Sequence, residues 1–219
     1  MKQDQGYSNK PAKYFSYQRN EMLEFIPHDA KKFLEVGCGG GDFGALLKDT
    51  RQVEVTGLEL VPEAAEAAKL KLDKVIVGNV EIQEIEIPNG YFDCLIFNDV
   101  LEHFRDPWAM LAKFSHALRP GGYVVASIPN MRYFPVFRSL FLEGDWTYQD
   151  QGVLDRTHLR FFTFKTGKEL FSQNGFKVLR QEGVHPQELP WKFGLLNTLL
   201  GGKFDEMKYM QFAIVAQLL

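Results

Sequence analysis

A glycine-rich segment between a short apolar run and an amphipathic stretch constrains the fold of this chain most strongly. Residues 33–44 read Phe-Leu-Glu-Val-Gly-Cys-Gly-Gly-Gly-Asp-Phe-Gly. The first four residues predict a buried strand, and we expect a helix to begin at about Asp42. Glycines let a ligand approach the backbone closely, and the N–H groups at a helix N-terminus attract ligands rich in acceptors. The segment therefore indicates a nucleoside-cofactor site.

A carboxylate at the end of the next predicted strand supports this interpretation. Glu59 follows the strand predicted at residues 53–58, and a carboxylate there can accept hydrogen bonds from both hydroxyls of a ribose. The spacing Gly39-x-Gly41-x-x-Gly44 also satisfies the dinucleotide fingerprint, with Glu59 about 20 residues downstream. The loop alone therefore leaves open whether the nucleoside is a nicotinamide dinucleotide or a different cofactor.

The order of predicted elements indicates a doubly wound α/β fold. Strand patterns alternate with helix patterns five times. Pro62 and Pro107 stand at the predicted first positions of the helices that follow strands two and four, where proline is favoured. Ligands of such sheets bind at the carboxyl ends of the parallel strands. The polar residues expected to converge there are Glu59, Asn79, Asn98 and Asp99, together with the glycine loop of residues 37–41.

Motifs downstream of the loop give the sequence a family resemblance. Asp-Val-Leu-Glu-His at residues 99–103 is followed by Asp-Pro at residues 106–107 and by Leu-Arg-Pro-Gly-Gly at residues 118–122. With the frame Glu35-x-Gly37-x-Gly39-x-Gly41, this series resembles the class I S-adenosylmethionine (SAM) dependent methyltransferases of the bacterial small-molecule type, a subgroup whose substrates are uncharacterised. The resemblance implies a Rossmann-like sheet of seven strands, mostly parallel, with the C-terminal strand antiparallel between strands five and six.

The same resemblance implies SAM as the cofactor and assigns its contacts by position. The glycine loop would line the methionine and ribose portions, Glu59 would bind the ribose hydroxyls, and the N-terminal segment would close over the cofactor. Asn79 stands where many members have an acidic residue, and its side-chain oxygen can still accept a hydrogen bond from the adenine amino group, without a charge. The alternative is that Asn79 is only a turn residue. The implied contacts are Glu35, Gly37, Cys38, Gly39, Gly41, Glu59, Leu60, Asn79, Val80, Asn98, Asp99, Tyr14 and Arg19.

We expect residues 1–219 to form a single methyltransferase domain with two additions. The apolar positions of residues 14–26 predict an amphipathic helix, so that residues 14–30 form a covering segment in which Arg19 could pair with the SAM carboxylate. Residues 131–164 hold nine of the 30 aromatic residues and follow the fifth strand, so we interpret them as a lid over the site. A satellite apolar cluster or a dimer contact is the alternative.

Two histidines are the candidate general bases for an acceptor that must lose a proton. His158 lies in the run Asp-Arg-Thr-His-Leu-Arg of residues 155–160, and His103 follows the fourth strand. A structural hydrogen bond is the alternative for His158, and a solvent-facing position is the alternative for His103. Arg156 and Arg160 could instead bind an anionic group of the substrate. No Cys/His cluster has metal-ligand spacing in the sequence, so we expect no metal.

Composition narrows the classes of function. A net charge of −3 disfavours a nucleic-acid partner, and two cysteines do not suggest disulfides. No apolar run approaches the length of a membrane span, and the first residues do not resemble a signal peptide. We therefore expect a cytoplasmic monomer or homodimer without a membrane association, acting on a small-molecule acceptor. Two other functions remain open: a nicotinamide-dependent oxidoreductase, and a SAM-binding protein without catalysis that stabilises a partner.

Overall fold

A computed structural model describes residues 10–219 and contains one seven-stranded sheet. Its order is β3-β2-β1-β4-β5-β7-β6, and only β7 runs antiparallel to its neighbours. The α/β class, the seven strands and the position of the last strand are therefore confirmed. The strands are β1 (Lys32–Val36), β2 (Glu54–Glu59), β3 (Lys74–Val77), β4 (Phe92–Asn98), β5 (Leu118–Pro129), β6 (Phe176–Pro186) and β7 (Tyr209–Leu218).

Helices cover both faces of the sheet because side chains of each strand alternate between the faces. In β1, Leu34 and Val36 belong to a core cluster that includes residues of α3 and α5, whereas Phe33 belongs to a cluster with residues of α1 and α2. The helices are α1 (Asp42–Thr50), α2 (Pro62–Lys69), α3 (Pro107–Ser115), α4 (Phe134–Arg138), α5 (Phe164–Ser172) and α6 (Trp191–Leu199).

Two helix ends match their sequence signals closely. Thr163 caps α5 by accepting from the Thr166 N–H, and the Thr166 side chain accepts from the Thr163 N–H in return, forming a capping box. Asp106 caps α3 by accepting from the Ala109 N–H at 3.0 Å, and Pro107 occupies the first helical position. These caps fix where the chain turns from the loops at the carboxyl edge of the sheet into each helix.

The amphipathic helix predicted for residues 14–26 is wrong. The chain instead forms two short 3-10 helices, Ala12–Phe15 and Asn20–Phe25, which are separated at Arg19. Arg19 has a left-handed backbone with φ 53°, a conformation that interrupts a right-handed helix. The apolar positions still pack on the domain as expected, because Met22, Phe25 and Ile26 are buried against the face that carries α1 and α2. The apolar pattern therefore predicted which side chains are buried but not the type of helix or its interruption at Arg19.

The C-terminal part of the chain also extends beyond its predicted bounds. The apolar pattern of residues 176–180 predicts only the first part of β6, which continues to Pro186, and no helix is predicted where α6 lies. α6 exposes part of its apolar surface, since Trp191, Leu195 and Leu199, which share one face of the helix, are all exposed. Both cysteines are free and buried, as expected for packing residues. Among residues 10–219, no helix combines the length and apolar character that crossing a bilayer requires.

Candidate functional site

The glycine loop folds tightly over the end of β2. The N–H groups of Gly37 and Cys38 both donate to the carbonyl of Leu58, at 2.7 and 3.1 Å. Gly37, Gly39 and Gly41 have φ of 69°, 54° and 75°, the left-handed region that favours glycine. This chain of turns leaves the loop at the carboxyl edge of β1, where the sequence placed it.

Glu59 connects the glycine loop to the start of α2. Its Oε2 accepts a hydrogen bond from the Gly39 N–H at 2.8 Å, and its Oε1 accepts one from the Val61 N–H at 2.8 Å. The side chain is buried, and burial raises its pKa although both backbone N–H groups oppose that rise. Each carboxylate oxygen retains a second lone pair, so the group can still accept from two hydroxyls.

Glu35 lies beneath the loop, on the face of β1 that packs against α1. It is buried, and a Cβ on Gly44 would lie 2.9 Å from its Oε2, so only glycine leaves room for the carboxyl group. Within residues 10–219, Oε2 has no hydrogen-bond partner. Burial, with Glu59 and Asp42 nearby, raises the pKa of Glu35 to about 8. Glu35 is therefore largely protonated at neutral pH.

This raised pKa predicts a specific dependence of stability on pH. The folded-state pKa exceeds the ordinary value of 4.5, so the native chain holds a proton that the unfolded chain releases. The contribution of Glu35 to the free energy of unfolding is fully present below about pH 4.5 and is lost as the pH rises through about 8. Glu35→Gln should therefore flatten the fall of the unfolding free energy between pH 5 and pH 9, measured by denaturant titration. Equal slopes for the variant and the wild type would contradict this, and exposed Glu66→Gln is the control.

The N-terminal segment lies directly on the glycine loop. The carbonyl of Phe15 accepts from the Gly40 N–H at 2.8 Å, and a Cβ on Gly39 would lie 2.6 Å from the same oxygen. Each N–H group from Gly37 to Gly41 thus donates to an acceptor of the protein. The N-terminal segment therefore contacts the glycine loop directly, and its closing over a bound cofactor stays a prediction.

Arg19 and Asp99 form an ion pair at the centre of the carboxyl edge. Asp99 Oδ1 accepts from the Ser127 hydroxyl and from the Gln211 amide, each at 2.9 Å, and Arg19 donates to Gln211 Oε1 at 2.9 Å. This network joins the ends of β4, β5 and β7 to the N-terminal segment. Burial lowers the pKa of Arg19, and nearby Glu21 and Glu102 oppose this. The pairing of Arg19 with a cofactor carboxylate stays a prediction, since its guanidinium binds Asp99 here.

The remaining predicted cofactor contacts differ in their surroundings. Asn98 is half-buried, and within residues 10–219 neither its amide nitrogen nor its oxygen has a partner. Asn79 accepts from the Glu81 N–H at 3.0 Å through its side-chain oxygen, the geometry of a turn residue. Val80 is buried in the core and Leu60 is half-buried. Asn98 therefore has hydrogen-bonding capacity for a ligand, whereas the Asn79 oxygen already has a partner.

A second cluster lies beside this network and contains the two predicted bases. Glu102, His103 and His158 each place a side-chain ligand atom within 4.8 Å of those of the other two. The rings of His103 and His158 meet edge to face, with centroids 4.7 Å apart. Glu102 fixes the lid through its backbone, because its carbonyl accepts from the Leu159 and Arg160 N–H groups at 2.8 and 3.0 Å. Sequence separation had hidden this cluster, since His158 lies in the lid segment of residues 131–164.

Burial sets the protonation states of the two histidines. It lowers the pKa of His103 to about 3, with His158 as a further cause, and it also lowers the pKa of His158. Both imidazoles are therefore neutral at pH 7. The His103 Nδ1 lies 3.1 Å from the Thr157 carbonyl and the His158 Nδ1 lies 3.0 Å from the Val153 carbonyl. Both rings thus carry their proton on Nδ1, because only a donor can pair with a carbonyl oxygen.

Other side chains in or against the lid segment fall into three groups. Tyr14 packs against the lid beside Asp155, and burial raises the pKa of its phenol. Arg156 and Arg160 are exposed, and Arg156 pairs with Asp150 at 3.0 Å on the surface, so neither guanidinium joins the buried cluster. The aromatic rings of Phe134 and Phe137 pack against Phe193 of α6. Part of the segment thus forms a satellite cluster, the alternative stated for it, while its function as a lid stays a prediction.

Sequence reasoning missed three contributors to this edge. Phe15 acts through its carbonyl and Gln211 lies on β7, and no local pattern marks either position. Glu102 belongs to the Asp-Val-Leu-Glu-His motif of residues 99–103, but nothing in that motif signals that its side chain is buried. A buried carboxylate at a strand end is a functional candidate in its own right.

Comparison with known proteins supplies the family. The domain family described as "Methyltransferase domain" matches residues 12–181, which include the glycine loop, Glu59 and the Glu102 cluster. The chain belongs to this methyltransferase family. The match ends before α6 and β7, so most of the sheet and the whole lid segment lie inside it. The family expected from the glycine loop and the downstream motifs is thereby confirmed.

Relatives of this methyltransferase-family chain include two curated enzymes. The ubiquinone biosynthesis O-methyltransferase of Vibrio atlanticus is 35% identical over 113 residues, covering 47% of this chain and 45% of that protein. The protein of the same name from Xylella fastidiosa is 35% identical over 111 residues, covering 48% and 44%. The chain spans a little under half the length of these curated relatives. The solved SAM-dependent methyltransferase from Archaeoglobus fulgidus is 16% identical, with a TM-score of 0.65 over 90% of this chain and 91% of that one, and shares the fold.

Proposed function

We propose that this chain is a SAM-dependent methyltransferase that acts on a small-molecule acceptor, with an oxygen of the acceptor as the methylated atom. The single observation that carries the proposal is the Glu59 carboxylate, buried at the carboxyl edge and bonded to the glycine loop, within a methyltransferase domain. The O-methyltransferase names of the relatives support oxygen as the acceptor atom. A cytoplasmic location, a monomer or homodimer, and the absence of nucleic-acid and membrane partners remain predictions.

The residues of the site fit this cofactor. Glu59 offers two lone pairs toward ribose hydroxyls, and Asn98 offers a donor and an acceptor that lack partners within residues 10–219. The carboxyl group of Glu35 is buried under the loop, and the ammonium of a bound ligand beside it would lower its pKa and favour the ionised form. SAM, when bound, supplies a methyl group on a sulfonium centre whose positive charge is lost during transfer. An enclosure of low polarity favours that loss of charge.

The protein positions the two reactants, excludes water from them and supplies groups that can accept the proton of the acceptor. Phe15 contacts the glycine loop, Arg19 pairs with Asp99 after β4, and the lid segment is bonded to the Glu102 backbone, so protein segments approach the edge from two sides. Positioning of two reactants in such an enclosure accounts for much of the rate of a displacement reaction. His103 and His158 are neutral at pH 7, the state in which an imidazole accepts a proton or binds a cation.

A panel assay tests the proposed reaction. The purified chain would be incubated with labelled SAM and separate pools of phenols, carboxylic acids, primary amines and thiols, and transfer of label would be followed with formation of S-adenosylhomocysteine. We expect transfer to a pool with a reactive oxygen, and no transfer by Glu59→Ala. Transfer confined to amines or thiols would contradict oxygen as the acceptor atom. Binding of the cofactor without transfer to any pool would favour a non-catalytic SAM-binding protein.

A further inference from the structure

The carboxyl group of Glu102 is an anomaly of the structure. The side chain is 1% exposed, and neither carboxylate oxygen has a hydrogen-bond partner within residues 10–219. Buried carboxyl groups are ordinarily hydrogen-bonded or paired with a cation, because water no longer solvates them. Burial raises the pKa of Glu102 to about 8, and Arg19, the basic group that opposes this rise, already binds Asp99 and Gln211. The fold therefore buries a carboxyl group that no cation of residues 10–219 pairs with directly.

Two imidazoles face this carboxylate in a fixed orientation. The His158 Nε2 lies 3.8 Å from Glu102 Oε1, too far for a hydrogen bond. The Nδ1 atom of each ring is held by a backbone carbonyl, Val153 for His158 and Thr157 for His103. Histidines that bind metals almost always donate their other N–H to such an acceptor, which fixes the tautomer and the ring orientation. The two carbonyls thus orient the rings as the outer partners of a metal site do.

We propose that Glu102, His103 and His158 form a binding site for a divalent transition-metal cation, with Zn²⁺ as the best match, that binds an oxygen of the methyl acceptor. Two imidazoles and one carboxylate are the ligand set of catalytic zinc sites, which keep a fourth position open. Such nitrogen ligands disfavour Mg²⁺ and Ca²⁺, which prefer oxygen. The sequence analysis expected no metal because no Cys/His cluster has metal-ligand spacing along the chain. The fold instead brings His158 beside Glu102 and His103, although His158 is distant from them in sequence.

The distances are compatible with a tetrahedral ion after a modest contraction. Ligand atoms around a zinc ion with bonds of about 2.1 Å lie about 3.4 Å apart. The three ligand atoms here lie within 4.8 Å of one another, and one pair is already at 3.8 Å. The pair at 3.8 Å, His158 Nε2 and Glu102 Oε1, needs to close by only about 0.4 Å to reach that separation.

This site rests on the proposed function and specifies how an acceptor oxygen would be activated. A hydroxyl bound at the open position has a lowered pKa and releases its proton to water. The resulting oxyanion uses one electron pair to form the bond to the methyl carbon, while the carbon–sulfur bond breaks and its electron pair stays on sulfur. The products are a methyl ether and a neutral thioether, and the cation is neither oxidised nor reduced. The histidines then act as ligands and not as general bases.

Equilibrium dialysis of the full chain against Zn²⁺, with metal analysis of the protein, tests the site directly. We expect about one Zn²⁺ per chain, and a loss of affinity of about 100-fold or more in Glu102→Gln and in His158→Gln, because each removes one of three ligands. The matched control is His116→Gln, which replaces an exposed histidine at the end of α3 and should retain wild-type binding. Substitution by Co²⁺ should give the visible absorption of a tetrahedral ion in the wild type and the control only.

The outcomes separate this inference from the proposed function. Titration with S-adenosylhomocysteine is run on every variant, and retained binding by Glu102→Gln shows that its fold and cofactor site are intact. Zinc binding that is absent in the wild type, or equal in the wild type and Glu102→Gln, would overturn the metal site. Zinc binding as expected, without any binding of S-adenosylhomocysteine by the wild type, would support the metal site and contradict the cofactor. An intact fold is also read from far-UV circular dichroism of His158→Gln.

Discussion

Replacing Glu59 by alanine is expected to raise the dissociation constant for S-adenosylhomocysteine by about 100-fold or more. The change removes a carboxylate that would accept two hydrogen bonds from the ribose, and hydrogen bonds to charged groups contribute about 1.5–3 kcal/mol each. It also removes the acceptor for the Gly39 N–H and the Val61 N–H, so the glycine loop loses its connection to α2. Both losses weaken the binding of S-adenosylhomocysteine, and isothermal titration calorimetry measures their combined effect on the dissociation constant.

Two further variants make the Glu59 result interpretable. Glu66→Ala removes an exposed carboxylate from α2 and should leave the affinity unchanged. Glu59→Gln retains one oxygen acceptor and should fall between the wild type and Glu59→Ala. A Glu59→Ala chain that keeps its circular dichroism spectrum and binds S-adenosylhomocysteine within about threefold of the wild type would contradict the assignment of Glu59 to the ribose.

Asp99→Ala is expected to lower the free energy of unfolding by about 3 kcal/mol or more. The substitution leaves the guanidinium of Arg19 without its carboxylate in a site where both side chains are mostly buried, at 13% and 22% exposure. The Ser127 hydroxyl and the Gln211 amide lose an acceptor at the same time. Alanine also tolerates the φ of 53° at this position less well than aspartate. Denaturant titration at pH 7 measures the change.

A double-mutant cycle isolates the contribution of the ion pair. Asp99→Asn keeps an oxygen acceptor and tolerates a left-handed backbone, so it should cost less than alanine, and its combination with Arg19→Gln should cost less than the sum of the two changes. Asp150→Ala breaks the exposed pair with Arg156 and should cost less than about 1 kcal/mol. Equal costs for Asp99→Ala and Asp150→Ala would contradict a structural role for the Arg19–Asp99 pair.

The strands and the glycine loop could be predicted from the sequence because local patterns determine them. Residues 33–36 are apolar on both faces except for Glu35, and the following glycines permit only a turn, so the start of α1 at Asp42 follows directly. Pro62 and Pro107 mark helix starts for an equally local reason, since proline loses no hydrogen bond at a first helical position. The parallel order then brings Glu59 and Asn98 to one edge without further information.

Contacts between distant segments could not be predicted in this way. Arg19 has a left-handed backbone and pairs with Asp99, which lies 80 residues away, and the periodicity of residues 14–26 signals neither feature. The approach of His158 to Glu102 depends on the path of the whole lid segment. α6 has apolar residues on its exposed side as well as on its packed side, so its sequence lacks the polar face that makes a surface helix recognisable.

The central claim is that the carboxyl edge of this sheet binds SAM, and calorimetric titration of the wild-type chain with S-adenosylhomocysteine tests it most directly. NADH is the matched comparator, because the spacing of Gly39, Gly41 and Gly44 would also suit a dinucleotide. We predict saturable binding of one S-adenosylhomocysteine per chain and no measurable heat with NADH under the same conditions. Preferential binding of NADH, or no binding of S-adenosylhomocysteine by a folded chain, would contradict the claim.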